Sequence, residues 1–357
     1  MRISALLPPL AMLLALAGSL GATEWDLRKI GGRDYLSISQ VADFYGLAGG
    51  FSRVNKSAAI QSGTRNLIFT KGTREAVVNG VKHWLSFPVE EYGGELRVSR
   101  VDLAKTIEPA LRPHLVKGFK PVTTVVIDAG HGGSNKGAYS PIGNEKEFTL
   151  DLARRLQILL EKTGMRVVMT RKRDQDVSLE ARAGMANEIP NSVLVSLHFN
   201  SATWNRNANG FEIYSMTPQG SPSTNDTSLK ASHARKHSGN SRDLESFALS
   251  NAIYHSMLGK LDMEDRGVKR ARFAVLRHAK VPAILVEGGF MTNKDDLKKM
   301  ASTEWRANLA HSIALGVIQY KQLAENRVPP KELADYRGPV TPRMPSVTLR
   351  EVPSAEP

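Results

Sequence analysis

From Thr123 onward the chain alternates between short, almost wholly apolar runs and longer segments with apolar residues at helical spacing. Residues 123–128, 166–170, 192–197, 211–214, 273–276 and 283–286 read as strands, with the continuous apolar character of strands buried on both faces. Between them, residues 147–163 place Phe148, Leu152, Leu156 and Leu159/Leu160 on one helical face, closed by Gly164. Residues 178–188 and 244–259 are further helices. A last helix begins near Thr303, with Trp305, Leu309, Ile313 and Val317 at four-residue steps. This alternation predicts an α/β fold, a mostly parallel sheet flanked by helices.

Residues 25–115 carry a different pattern. Short strand-like pieces at 35–38, 57–61, 66–70, 75–78 and 95–99 are punctuated by Gly49-Gly50 and Asn79-Gly80, and 39–45 and 100–107 read as short helices. This predicts a small α+β domain ahead of the α/β region, with residues 117–122 as linker. Its "DYLSISQVADFYGL" opening, "AVVNG" strand-turn and closing strand and helix resemble the small N-terminal domain of copper amine oxidases. The resemblance implies no copper chemistry, since only His83 and His114 offer imidazoles there. Residues 216–243 are rich in Ser, Thr, Asn, Lys and Gly without apolar period, and are expected to form a mobile lid or a substrate-contacting loop. Pro218 and Pro222 argue against a stable helix in it. From Asn326 the chain is proline-rich without a core pattern, the composition of a disordered tail.

Composition changes this picture at three points. Arg2, the apolar run Leu6–Gly18 and the small residues after it read as a signal peptide over residues 1–22, too short to span a bilayer, where about 20 apolar residues are needed. The mature chain is therefore expected to be exported, periplasmic or extracellular, without stable membrane insertion. The balance of 48 Lys+Arg against 35 Asp+Glu fits an anionic wall or membrane surface, while the scattered basic residues lack the interleaved aromatics of a nucleic-acid site. The absence of cysteine restricts any zinc site to His and carboxylate ligands.

The chemistry concentrates at three strand ends. "VVIDAGHGG" presents His131 on a glycine-rich turn, "VLVSLHFN" ends on His198, and "AILVEGG" delivers Glu287. Ligands in open α/β sheets bind beyond the carboxyl ends of strands, so these three groups converge on one edge. A carboxylate from the segment after Pro141-Ile142-Gly143 can fold back over His131, and spacing alone leaves both Glu145 and Glu147 open. Two His and one Glu make an open catalytic zinc set, leaving Glu287 as general base for a water. Asp128 and Asn200, adjacent to the ligands, are placed either to orient them by hydrogen bonds or only to shape the turns. His233 and His237, four residues apart in a Gly/Ser-rich context, are a weak metal pair, and His255, His278 and His311 lie in or beside predicted elements with structural roles.

Residues 123–320 resemble the zinc-dependent N-acetylmuramoyl-L-alanine amidases through four ordered blocks, "VVIDAGHGG", "GNEKEFTLDLARRL", "SLEARAGMAN…VLVSLHFNS" and "FAVLRHAKVPAILVEGGFMTN". The resemblance implies a twisted sheet, one Zn2+ per chain on His131, Glu145 and His198, and Glu287 as the catalytic carboxylate. It also implies peptidoglycan as substrate, with the amide between muramic acid and L-alanine as the bond cut. A protein activator is a candidate partner, because in some relatives an insertion near 216–243 covers the metal. The expected organisation is a signal peptide at 1–22, an accessory domain at 23–118, a catalytic domain at 119–324 and a tail at 325–357. A catalytically dead wall-binding protein and a zinc peptidase cutting within the stem peptide are the competing functions.

Overall fold

A computed structural model describes residues 25–336 apart from 48–50, 55–56 and 63–64. The leader at 1–22 and tail residues 337–357 lie outside the described residues. The chain forms two compact units, one comprising residues up to Gly80 together with Leu85–Ala104, the other Val81–Trp84 together with Lys105 onward. The division thus falls ahead of the 117–122 segment read as a linker.

In the first unit, β1 (Leu27–Ile30), β2 (Arg33–Ser37), α1 (Ile38–Phe44), β3 (Phe51–Val54), β4 (Ser57–Ser62), β5 (Arg65–Thr70) and β6 (Glu75–Val78) precede β7 (Val81–Trp84), which belongs to the second unit. β8 (Glu90–Tyr92) and β9 (Glu95–Ser99) complete the first. Its strands pair antiparallel, in the orders β1-β2-β9-β8 and β3-β4-β5-β6, and an isolated parallel bridge joins Lys71 to Val89. On β5 Leu67 and Phe69 are buried while Ile68 is exposed, the alternation of a sheet with one covered face.

The second unit contains β10 (Thr124–Ala129), the short hairpin β11 (Tyr139–Ser140) and β12 (Gly143–Asn144), α2 (Glu145–Lys162), β13 (Arg166–Met169), α3 (Leu179–Asn187) and β14 (Ser192–Asn200). It continues with β15 (Phe211–Met216), α4 (Asp243–Met257), β16 (Asp265–Ala271), α5 (Ala274–His278), β17 (Ala283–Phe290), α6 (Lys294–Ala301) and α7 (Thr303–Ala324). Its strand order is β13-β10-β14-β17-β15-β16-β7, parallel at every junction except β17/β15. Helix α2 packs on β10, β13 and β14, and α7 packs on both α2 and α4. On the other face, α3 and α5 close a core of Val126, Leu194, Tyr214, Leu276 and Leu285. Three parallel strands, β10, β14 and β17, therefore end side by side at one edge.

Three expectations are corrected. Residues 273–276 open the helix α5 instead of forming a strand, and the strand is β16. Its Lys269 and Arg270 are buried because each has a partner, Lys269 with Glu212 and Arg270 with the Ser215 hydroxyl and the Met216 carbonyl. The 216–243 segment is built, not structureless. Arg272 donates to the carbonyls of Ser221 (2.6 Å) and Pro218 (3.3 Å), and 3₁₀ turns form at Ala231–Ala234 and Ser238–Arg242. The start of the expected tail is also tied down, with Gln319 Nε2 donating to Pro330 O at 2.9 Å and Lys260 pairing with Glu332 at 2.7 Å.

His83 on β7 is fully buried beside Phe247, and neither ring nitrogen has a partner among the described residues. Burial, with the Arg270 charge nearby, pushes its pKa down to about 3. Below an unfolded-state pKa of about 6.5 the unfolded chain gains a proton that the native state refuses, so stability falls as pH falls. Between pH 7 and pH 5 the wild type should lose about 2 kcal/mol more than His83→Leu. Urea melts at the two pH values check this, and parallel losses would mean that the native imidazole takes up the proton.

Candidate active site

At the end of β10 the chain turns through Gly130 to Gly133, and His131 adopts a left-handed φ of +59°. That conformation is costly for a side-chain-bearing residue and persists only where its surroundings fix it. Two buried guanidinium groups do so. Arg182 donates to the carbonyls of Ala129 and His131, both at 2.8 Å, and to Asp128 Oδ1 at 2.7 Å. Arg171 donates to the carbonyls of Ala129 and Gly130, both at 2.9 Å, and to that of Lys146 at 2.7 Å. Asp128 is wholly buried, and it also accepts from the hydroxyls of Thr170 and Ser196 at 2.7 Å each. Burial opposes its charge, but Arg182 and these hydroxyls hold its carboxyl below the usual range.

Glu145 opens α2 and meets both histidines. His131 Nε2 lies 3.0 Å from Oε2 and His198 Nδ1 lies 2.9 Å from Oε1. The same oxygens accept the backbone N–H of Ala138 (2.9 Å) and of Phe199 (3.1 Å). Glu147, the other carboxylate the spacing left open, instead caps α2 by accepting the Asn144 N–H at 3.1 Å. Asn135 Oδ1, 2.8 Å from His131 Nδ1, orients that ring. Donor atoms of His131, Glu145 and His198 all lie within 4.8 Å of one another, a grouping able to hold a metal ion. Burial disfavours the Glu145 charge, yet its bonds to the two imidazoles carry its pKa well below the carboxylate range. Close packing explains two glycines. A Cβ on Gly130 would stand 2.6 Å from His198 Nε2, and one on Gly137 2.6 Å from Glu145 Oε2.

Glu287 stands on β17, paired in register with His198 on one side and Glu212 on the other. Its Oε2 is buried and without a hydrogen-bond partner among the described residues. Burial and the Glu145 and Glu212 carboxylates push its pKa well above the usual range, with Lys269 opposing. Glu212 is engaged on both oxygens, accepting from Asn200 (2.8 Å), Tyr214 (2.7 Å), Arg266 (2.7 Å) and Lys269. His131, His198 and Glu287 face a cleft of about 580 Å³ whose apolar walls include Val177, Leu179 and Phe273. Two imidazoles, one ionised carboxylate and a second carboxylate whose Oε2 has no partner among the described residues are a set able to activate a water over that cleft.

Asp128 and Asn200 do not touch the imidazoles. Asp128 acts on the histidine turn through Arg182, and Asn200 is bonded to Glu212. His233 lies in one 3₁₀ turn, 3.3 Å from Asp226, and His237 caps the start of the next, and they join no metal grouping among the described residues. His255, His278 and His311 also stay outside that grouping. Asn135, Arg171, Arg182, Glu212 and Lys269 escaped the sequence analysis. Only Arg182 had a visible signal, its place inside the "SLEARAGMAN" block.

A model of the N-acetylmuramoyl-L-alanine amidase family matches residues 125–319. The N-acetylmuramoyl-L-alanine amidase LytC of Bacillus subtilis is 32% identical over 200 residues, which cover 55% of this chain and 35% of LytC. CwlM of Bacillus licheniformis, another N-acetylmuramoyl-L-alanine amidase, is 32% identical over 204 residues, covering 57% of this chain and 70% of CwlM. Among solved structures, the N-acetylmuramoyl-L-alanine amidase AmiC2 of Nostoc punctiforme aligns with 32% identity and a TM-score of 0.47, over 57% of this chain and 99% of that one.

Arg182→Ala leaves the Asp128 carboxylate buried without its cation and should cost about 3–5 kcal/mol of stability. It should also let a chelator strip divalent metal at lower concentration. Arg182→Lys returns the charge without the forked bonds to Ala129 and His131, so stability should recover more than metal retention. Urea melts and chelator competition measure the two effects, and metal retention at wild-type level in both variants would refute the assigned role.

Proposed function

The chain belongs to the N-acetylmuramoyl-L-alanine amidase family, and from that premise we propose that it is an exported zinc hydrolase of peptidoglycan. The bond cut is the amide joining the lactyl group of N-acetylmuramic acid to the L-alanine of the stem peptide. The observation that carries this reading is the meeting of His131, Glu145 and His198 beside Glu287 in one cleft.

The donor set fits zinc. Two imidazoles and one carboxylate held in its charged form are the chemistry of an open zinc site, and the chain has no thiolate to offer. His131, Glu145 and His198 would hold the ion, which when bound polarises the amide carbonyl and acidifies the attacking water. Glu287 accepts the proton of that water on its free oxygen and returns it to the departing L-alanine nitrogen. Water adds to the carbonyl carbon and the C–N bond breaks, leaving a lactyl carboxylate on the glycan and an amine on the peptide. Val177, Leu179 and Phe273 give that cleft apolar side chains beside the reacting carbonyl.

Export rests on the leader pattern at residues 1–22, and no helix among the described residues is long and apolar enough to cross a membrane. Within residues 216–243, Asn225 bonds Tyr214 of the Glu212 network. Peptidoglycan is the partner proposed, and a protein activator is a second candidate.

Release of dye-labelled fragments from peptidoglycan should vanish with chelator, return with zinc, and fall by about a thousandfold in Glu287→Gln. New amino termini should be those of L-alanine alone. Amines from within the stem peptide would identify a peptidase instead. Wall binding without release, at saturating zinc, would identify a binding protein.

A further inference from the structure

Two exposed aromatic side chains follow, within five residues along the chain, the two backbone amides bonded to Glu145. Trp204 is 85% exposed and Tyr139 75%, the most exposed aromatic residues described in the second unit. Tyr139 follows Ala138, whose N–H is bonded to Glu145 Oε2 and whose carbonyl accepts the Glu145 N–H at 2.8 Å. Trp204 lies five residues beyond Phe199, whose N–H is bonded to the other oxygen of the same carboxylate. Five residues span at most about 17 Å, and a turn closed by Asn205 N to Ala202 O at 3.1 Å shortens that reach.

Neither turn is loose. The Tyr139 hairpin is closed by the Ser140 hydroxyl donating to Gly143 O at 2.8 Å. The Trp204 loop is held by Ala202 N to Thr292 Oγ1 (3.0 Å), by Asn293 Nδ2 to Arg206 O (3.1 Å), and by Arg266 Nη1 to Asn209 O (3.3 Å). An indole and a phenol held in water by anchored backbone gain nothing for the fold, whereas a rigid aromatic face binds a partner at low entropic cost. Exposed Thr203, Asn205 and Asn207 flank the indole with groups able to meet hydroxyls.

We propose that Tyr139 and Trp204 are stacking platforms for the pyranose rings of the glycan strand, seating the sugars beside the metal set. This rests on the peptidoglycan reading, and within that substrate only the sugars offer flat C–H faces. The stem peptide is charged and presents no ring.

The test uses the full mature chain carrying Glu287→Gln, so that nothing is cleaved, with zinc bound. Tyr139→Ala, Trp204→Ala and the double variant are titrated with soluble glycan strands stripped of stem peptide and, separately, with free stem peptide. Each single variant should weaken glycan binding several-fold and the double variant about tenfold or more, with peptide binding, zinc content and melting temperature unchanged. Trp204→Phe and Tyr139→Phe should retain most of the affinity. In the active background the double variant should raise KM on whole peptidoglycan while kcat stays within about twofold. Unchanged glycan affinity, or an equal loss for glycan and free peptide, overturns the proposal. Release of wall fragments by the wild-type chain, with no binding of stripped glycan by its Glu287→Gln form, overturns it while leaving the amidase reading intact. Neither release by the wild type nor glycan binding by the Glu287→Gln form overturns both.

Discussion

The Asp128–Arg182 ion pair, buried under the end of β10, is the constraint on which the active-site edge depends. Its charges are out of water, so each demands its partner, and the pair cannot relax without exposing a charge to the core. Arg182 spends its remaining donors on the carbonyls of the histidine turn, and Arg171 reinforces them from β13's end. One carboxylate thus fixes the backbone that aims His131 at Glu145. Glu145 in turn gathers His198 and the Phe199 amide from the neighbouring strand. The same logic recurs on the far side of Glu287, where Glu212 is neutralised by Lys269 and Arg266. Glu287 therefore stands between two organised charge systems, and its Oε2 joins neither hydrogen-bond network among the described residues.

What was legible in the sequence follows from where apolar burial does the organising. β10, β14 and β17 are covered on both faces and show as unbroken apolar runs, so their carboxyl ends and the groups on them could be located. β16 was missed because its buried positions include Lys269 and Arg270, and the partners that make such burial tolerable lie more than 50 residues away in the chain. The 216–243 loop looked structureless for a related reason. Its order comes from Arg272 gathering backbone carbonyls, an interaction that leaves no periodic trace. Residues 273–276 have the apolar content of a short strand, and only the Leu276 and Arg277 amides returning to the Phe273 carbonyl make them a helical turn. Asp128 was noticed beside its histidine, but its action through a guanidinium 54 residues further on was not visible.

The single antiparallel junction between β17 and β15 has a bearing on the chemistry as well. It brings Glu212 into register with Glu287 from a strand running the opposite way, so the supporting network reaches Glu287 from the opposite side to the histidines. The two sets flank Glu287 and meet through Asn200, which stands two residues beyond His198 and donates to Glu212.

The arginine-held turn carries a consequence for how the protein matures. His131, Glu145 and His198 are gathered by bonds among themselves and to the backbone, so the fold itself assembles the proposed ligand set. On the proposed zinc reading, folding and ion loading are then separate events, and scarcity of the metal silences the chain without unfolding it.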